Sequence, residues 1–583
     1  MSDDQSTVPA RSPWPVLAGL AGAVLVAGGI ALALYSQFVA APIPVPVDHR
    51  YAEAGDFPFR LVRGTLILAG AAVLIGAVVL VRGRRGDERA AGFTAGGVLA
   101  LLAVLIGGGV FAVTAHIPST YQRLTSVFVL TPRVSSAIAA LALVLIGALL
   151  AFAFVATPTA PMPRRSALAA AVVVGLLPVF CAAGIAVRLG DDTAAVDHVT
   201  ADPGSQTAVP AVPAALGPER FRLRIPADPS HPNRTLVTRT GFVVSTPDGI
   251  AVYDGVTGAE RWHYRRSGIA PDKVWNRHAE TLSLRGEDVV LTAWNKRGWM
   301  AFDAATGDLL WTDGDFSRDS RSTIGGPLLA TVSSSGRVTR YDARTGNALW
   351  TSPAEPAGCA ATERHVGTTT TAIYRAATCG AGDSAALVVT AFDPPSGAVR
   401  DQRTVAAPGL RPTDLVEVQT FRSGFVWVMC RRDDGDIDLF LPPNQPLTAA
   451  VVDSSRKNSD VRAADSAALI RSYDPDGPTL PDRWEILPAA DGAGSTRLDM
   501  SATDSRPGSD DATALLADQV VALTWDNGYK LRTWDRSTGS AGPVLPVDIA
   551  PGTRNLRFTT VAGALLLIAT DAKYRDIEVI GFS

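Results

Sequence analysis

An aspartate followed by threonine three residues on, glycine four on and tryptophan eight on recurs three times in this sequence. The copies are Asp254, Thr257, Gly258 and Trp262; Asp303, Thr306, Gly307 and Trp311; and Asp342, Thr345, Gly346 and Trp350. Two degenerate copies, Asp393 with Gly397 and Asp535 with Gly539, lack the tryptophan. Recurrence at this period means stacked supersecondary units that bury a core only together. The spacing has a structural chemistry. An Asp at the end of a strand accepts backbone N–H bonds from the turn that follows, and the Thr hydroxyl adds to that turn. The Gly supplies a positive φ for the reversal. The Trp then falls on the next strand, where it packs against a neighbouring unit. Short alternating strands upstream of each Asp, at 241–245 and 289–293, make each unit a four-stranded antiparallel sheet.

Further strand patterns at 437–441 and 483–487 fill the long gap between Asp393 and Asp535. A strand pair at 563–570 and 576–581 follows the last copy. The count is seven to eight units, within the range of β-propellers. The last unit lacks its outermost strand, and 221–225 at the start of the domain supplies it, so the ring closes by joining its two chain ends.

The motif resembles the repeat of the pyrroloquinoline quinone (PQQ)-like β-propeller family, over about residues 219–583. The resemblance implies a propeller fold. It leaves activity open, because the repeat occurs in quinoprotein dehydrogenases and in non-catalytic scaffolds such as the outer-membrane assembly propeller of Gram-negative bacteria.

The first 190 residues are of another kind. They hold 13 Arg, no Lys and 7 acidic residues, and only one of the eleven Trp. Five apolar stretches, approximately 15–35, 64–81, 93–115, 135–156 and 167–187, are long enough to cross a bilayer. None of the seven His and no charged residue lies mid-span, so intramembrane haem ligation and proton relays are excluded. Gly70, Gly76, Gly107, Gly108 and Gly109 are expected to let helices approach closely. Cys181 is expected to be a packed thiol, and Pro178 a tolerated kink. Arg82, Arg84, Arg85 and Arg89 in one loop and Arg164 and Arg165 in another place those loops, and the N-terminus, in the cytoplasm. The remainder then lies outside a plasma membrane. The longer connections, 36–63 and 116–134, read as loops. The expected organisation is a five-helix transmembrane domain (1–189), a semi-extended linker (190–218) and an extracytoplasmic propeller (219–583). Five Lys against 48 Arg, with abundant Ala, indicates a GC-rich bacterial and actinobacterial source.

An exported domain permits a disulfide, and Cys359 and Cys379 flank a strand-like stretch at 368–374. Cys430 reads as a buried strand thiol. Lys296 and Arg297, and the acidic set Asp433, Asp434, Asp436 and Asp438, read as solvated hairpin turns. His263 and His278, near Trp262 and Trp275, read as surface or packing residues. There is no haem-attachment motif, metal-ligand spacing, Walker loop or nucleophile elbow. No basic patch dominates, so nucleic acid is not an expected partner.

Two functions are consistent with these residues. One is a membrane-anchored, extracytoplasmic, non-catalytic propeller that binds a protein or cell-envelope component, with no cofactor. The other is a PQQ- and calcium-dependent dehydrogenase, since a five-helix anchor before the propeller is also the layout of membrane-bound quinoprotein glucose dehydrogenases. This propeller is shorter than theirs. It has no adjacent cysteine pair and no stretch that aligns with their cofactor or calcium ligands.

Overall fold

In a computed structural model, residues 13–40, 52–83, 90–127, 131–156, 163–202, 209–226, 235–246, 248–266, 278–294, 298–312, 316, 326–333, 335–361, 366–411, 415–421, 424–431, 437–453, 460–465, 467–473, 483–488, 494–499, 512–525, 527–550, 553–571 and 576–583 are described. The chain divides into two compact units, Met1–Val196 and Asp197–Ser583.

The first unit is helical: α1 (Trp14–Phe38), α2 (Ala52–Gly83), α3 (Ala90–Thr114), α4 (Ile117–Val127), α5 (Pro132–Ala156) and α6 (Arg165–Leu189). All but α4 are long and apolar enough to cross a membrane. The stretch read as a loop at 116–134 instead contains α4. It is short and amphipathic: Leu124 is buried, and Ile117 and Tyr121 pack beside it on the other helices. A threshold set at the length of a full span passes over such a helix.

Of the five glycines expected to bring helices together, four do not. A Cβ on Gly70, Gly76, Gly107 or Gly109 would meet nothing within 4 Å. Of that group only Gly108 is close-packed, against Leu145. The tight crossing joins α1 to α5. There a Cβ on Gly22 would lie 2.5 Å from the Gly147 carbonyl oxygen, and one on Gly147 would lie 2.6 Å from that of Gly22. Small residues matter only where two backbones cross. Cys181, expected to be packed, is exposed on α6.

The second unit is a ring of eight antiparallel sheets. In chain order the blades span 235–266, 278–312, 330–351, 359–406, 415–453, 460–497, 513–546 and 554–582. The eighth is completed by Glu219–Pro226, which pairs with Asp576–Phe582 from Glu219 opposite Phe582 to Pro226 opposite Asp576. The ring therefore closes on a strand from the start of the domain. The middle strands do not alternate as expected. Gly241–Thr246 and Ala564–Thr570 are buried at every position, because each blade is covered on both faces by its neighbours. Alternation survives on outer strands such as Val399–Ala406.

Part of the stretch read as a tether is structured. Val196–Val199 adds a fifth, outermost strand to the first blade beside Glu260–Arg266.

Candidate functional site

Each motif Asp closes its own turn. Asp254 Oδ1 accepts the N–H groups of Val256 (3.0 Å) and Thr257 (2.9 Å) and the Thr257 hydroxyl (2.9 Å). The Gly258 N–H returns to the Asp254 carbonyl at 3.0 Å. Asp303 accepts from Ala305 and Thr306, and Asp342 from Arg344 and Thr345. In the degenerate copies Asp393 accepts the N–H and hydroxyl of Ser396. Asp535 accepts from Ser537 and Thr538. The Ser537 hydroxyl, with the Thr538 N–H and hydroxyl, holds the Asp535 carboxyl down at about 2. At Asp303 burial raises the carboxyl, but the Arg344 guanidinium and the turn N–H groups outweigh it and leave the pKa lowered.

Strand pairing slips just after these turns, between Leu309 and Trp311 and at the equivalent point of the first, third and fourth blades. A bulge there re-aims the next side chain, and the motif Trp turns toward the following blade. Trp262 Nε1 donates to the Ala304 carbonyl (3.0 Å), Trp311 to Ala343 (2.7 Å) and Trp350 to Pro394 (2.7 Å). Each indole thus caps the turn one unit on. Gly307, at φ +79°, leaves room for the Trp262 ring, and Gly397 does the same for Trp350.

Where the Trp is missing, another group fills the place. A Cβ on Gly258 would lie 2.7 Å from Phe221, on the closing strand. A Cβ on Gly539 would strike the Arg497 carbonyl, and the Asp499 N–H donates to Gly539. Gly346 ends its turn by donating to Asp342 at 2.7 Å.

The segment before the closing strand runs over one end of the ring. His198 Nε2 donates to the Gly307 carbonyl (2.7 Å), and the Ala201 N–H to Thr306. Gly563 donates to Ala211, Asp518 to Ala214, and the Leu216 N–H to Gln519 Oε1. This lacing touches the second, eighth and seventh blades. His263 is mostly buried in this region, with Nδ1 2.6 Å from Glu260 and Nε2 3.2 Å from Asp197. Sequence reasoning missed this segment. Its signal was a short run, Val196-Asp197-His198-Val199, with two polar residues bracketed by valines.

At the same end of the ring lies a cavity of about 460 Å³. Val237, Leu282 and Phe421 give it apolar walls, Thr369 and Thr370 hydroxyls, and Arg285 one guanidinium. In an antiparallel blade the first and third hairpins share an end, so the cavity opens on the face that carries the motif turns. Its residues come from separate blades with no shared motif, which left it invisible in the sequence.

Cys359 and Cys379 are opposite each other in the fourth blade and form a disulfide. The stretch between them is not one strand; Gly367–Thr368 and Ile373–Cys379 are separated by a turn. Cys430 is buried. Asp438 is buried rather than in an exposed turn, and accepts from Trp427 Nε1 at 2.9 Å. Asp433, Asp434, Asp436, Lys296, Arg297 and Trp275 lie outside the described residues. His278 starts a strand of the second blade.

The fold defined by these sheets is an eight-bladed β-propeller, in a chain with five long apolar helices before it. Residues 250–423 match the PQQ-repeat family model described as outer membrane protein assembly factor BamB. None of the curated proteins matches the chain. Among solved structures it is similar to the Dos1 propeller, at 10% identity over 62% of this chain and 95% of that one, with a TM-score of 0.34. It is also similar to the β-propeller domain of the Trilobed protease from Pyrococcus furiosus, at 7% identity over 63% of this chain and 95% of that one, with a TM-score of 0.32.

Proposed function

We propose that this protein is a non-catalytic binding or scaffold module, a propeller held at the plasma membrane by its five helices and presented to the extracytoplasmic side for a protein or cell-envelope component. The observation that carries this reading is where the motif carboxylates go. Each is satisfied by its own turn, so the repeat builds the ring and leaves its end faces for recognition, not chemistry. The match of residues 250–423 to an assembly-factor family supports a protein partner. The Cys359–Cys379 disulfide supports an oxidising compartment. The arginine-rich loops support a cytoplasmic N-terminus.

The alternative, PQQ held with calcium, asks for carboxylate and carbonyl oxygens around the ion. The described lining of the cavity offers one guanidinium, hydroxyls, the Asn444 amide oxygen and apolar walls, with no carboxylate for the ion, which supports the scaffold reading over the calcium-dependent one.

The tests use the full chain, in intact cells for partner and orientation and in detergent for cofactor binding. A photo-crosslinker placed at Thr370, on the cavity rim, is expected to trap one discrete envelope protein in intact cells. Saturable PQQ binding with calcium, accompanied by sugar- or alcohol-dependent dye reduction, would overturn the scaffold reading. A membrane-impermeant thiol label that fails to reach a cysteine placed at 205 in intact cells would overturn the outside assignment.

A further inference from the structure

We infer that the helical unit binds the headgroup of an anionic phospholipid in a cavity between α2, α3 and α4. The inference rests on the reading that the long apolar helices cross a membrane. The cavity measures about 400 Å³. Phe57, Leu61 and Phe111 give it apolar lining, and Arg60, His116 and Thr120 give it polar lining. A free phosphate would need only the polar groups. A molecule that carries an anionic group on an acyl stem uses both kinds.

The position suits such a molecule. Asp56, Arg60 and Arg63 are charged residues in the N-terminal part of α2, and the apolar span of α3 ends at Thr114, so the cavity lies where hydrocarbon gives way to headgroups. The short amphipathic α4 roofs it, as expected of a helix lying in that layer. Its start is set by His116, whose backbone is left-handed (φ 47°) and whose carbonyl accepts the Thr120 N–H at 2.9 Å. Beside the cavity Phe59, Val110 and Val113 are 49%, 56% and 74% exposed, an apolar surface for the acyl chains.

The charge is complementary. Arg60 and Arg63 both project from this end of α2 and are exposed. Asp56 is 3.7 Å from Arg60, with side chains 57% and 73% exposed respectively. A contact so long and so wet does not hold the guanidinium, which is left to a phosphodiester. Thr114 turns its hydroxyl back to the Val110 carbonyl (2.9 Å), which leaves Arg60, His116 and Thr120 as side-chain donors among the described lining residues.

The experiment is native mass spectrometry of the full chain in mild detergent, with phosphatidylglycerol and phosphatidylcholine of identical acyl chains as probes. Phosphatidylglycerol is expected to be retained in preference. Arg60→Gln is expected to lower that preference about fivefold, the effect of one basic residue at a membrane surface, and Arg60→Lys to keep it. Ala115→Leu, which narrows the cavity without touching a charge, is expected to lower it too. Equal retention of both lipids, or an unchanged preference in Arg60→Gln and Ala115→Leu, overturns the site. Displacement of phosphatidylglycerol by inorganic phosphate at equal concentration overturns the lipid assignment in favour of a free anion. Release of the chain from membranes by alkaline carbonate would instead sink the membrane reading itself, a distinct outcome.

Discussion

Trp262 of the first blade lies against Gly307 of the second so closely that a Cβ on the glycine would fall 2.6 Å from the indole Cδ2. The same indole donates to Ala304, in the same turn. One side chain thus joins two blades by burial and by a hydrogen bond. Gly307→Ala adds a methyl where there is no room and imposes a left-handed φ on an L side chain. The expected loss is about 2–4 kcal/mol. Trp262→Ala should cost about 3–5 kcal/mol. Because both act on one contact, the double variant is expected to lose less than the sum. Denaturant titration followed by Trp fluorescence of the full chain measures all three.

Phe221 performs this role at the ring closure, against Gly258. Its strand is also tied by Arg222 to Glu578 (2.7 Å) and by Arg224 to Asp576 (2.7 Å). Arg224 is 75% exposed, so its pair is worth little, whereas Arg222 is mostly covered and holds the closure together with the aromatic ring. Phe221→Ala is expected to cost about 3–5 kcal/mol and to speed amide exchange across Glu219–Pro226. Arg224→Ala is expected to leave that exchange unchanged.

Acid should loosen the motif turns. Asp535 titrates at about 2, against an ordinary 3.8. A lowered folded pKa gives stability that is present above the unfolded value and lost as pH falls through the folded one. The window therefore runs from about pH 4 down to about 2. Asp303, also lowered, acts in the same direction. Glu355 acts in the opposite one, because burial raises it despite Arg375 beside it. The wild-type slope is a net of these. The difference between wild type and Asp535→Asn isolates the turn: in thermal melts the variant is expected to lose less Tm than wild type between pH 4 and 2.

The disulfide closes a loop between residues 20 apart. A closed loop of that length is worth about 3 kcal/mol. Cys359→Ala with Cys379→Ala should lower the denaturation midpoint accordingly, and reductant should shift wild type toward the variant while leaving the variant unmoved.

Helix contacts give a paired test. Gly147→Ala meets the Gly22 carbonyl and must part α1 from α5, whereas Gly107→Ala meets nothing. The first is expected to lower the thermal stability of the helical unit in detergent. The second should leave it equal or raise it, since Ala is favoured over Gly by about 1 kcal/mol inside a helix.

Much of the architecture was legible because its causes are local. An Asp that satisfies N–H groups of its own turn needs no distant segment, so 254, 303, 342, 393 and 535 mark the repeat on local bonds alone. A stretch of apolar residues long enough to span a bilayer announces itself by hydropathy alone, and five did. The closing strand was readable by counting, because the eighth sheet lacked a member. Other features depend on residues far apart in the chain. Nothing near Gly258 says that Phe221 fills the place of a tryptophan, and nothing near Gly539 says that the Arg497 backbone does. Gly22 and Gly147 look no different from Gly107 until two helices cross. The strand at Val196–Val199 resembles linker until Glu260–Arg266 lies beside it. The sequence by itself determined the turns, the spans and a propeller of seven to eight blades, because backbone hydrogen bonding and hydropathy act over neighbouring residues; the count of eight came from the sheets. The tertiary structure alone decided the inter-blade caps, the helix crossing, the lacing and both cavities, because these exist only where separate segments are packed to contact.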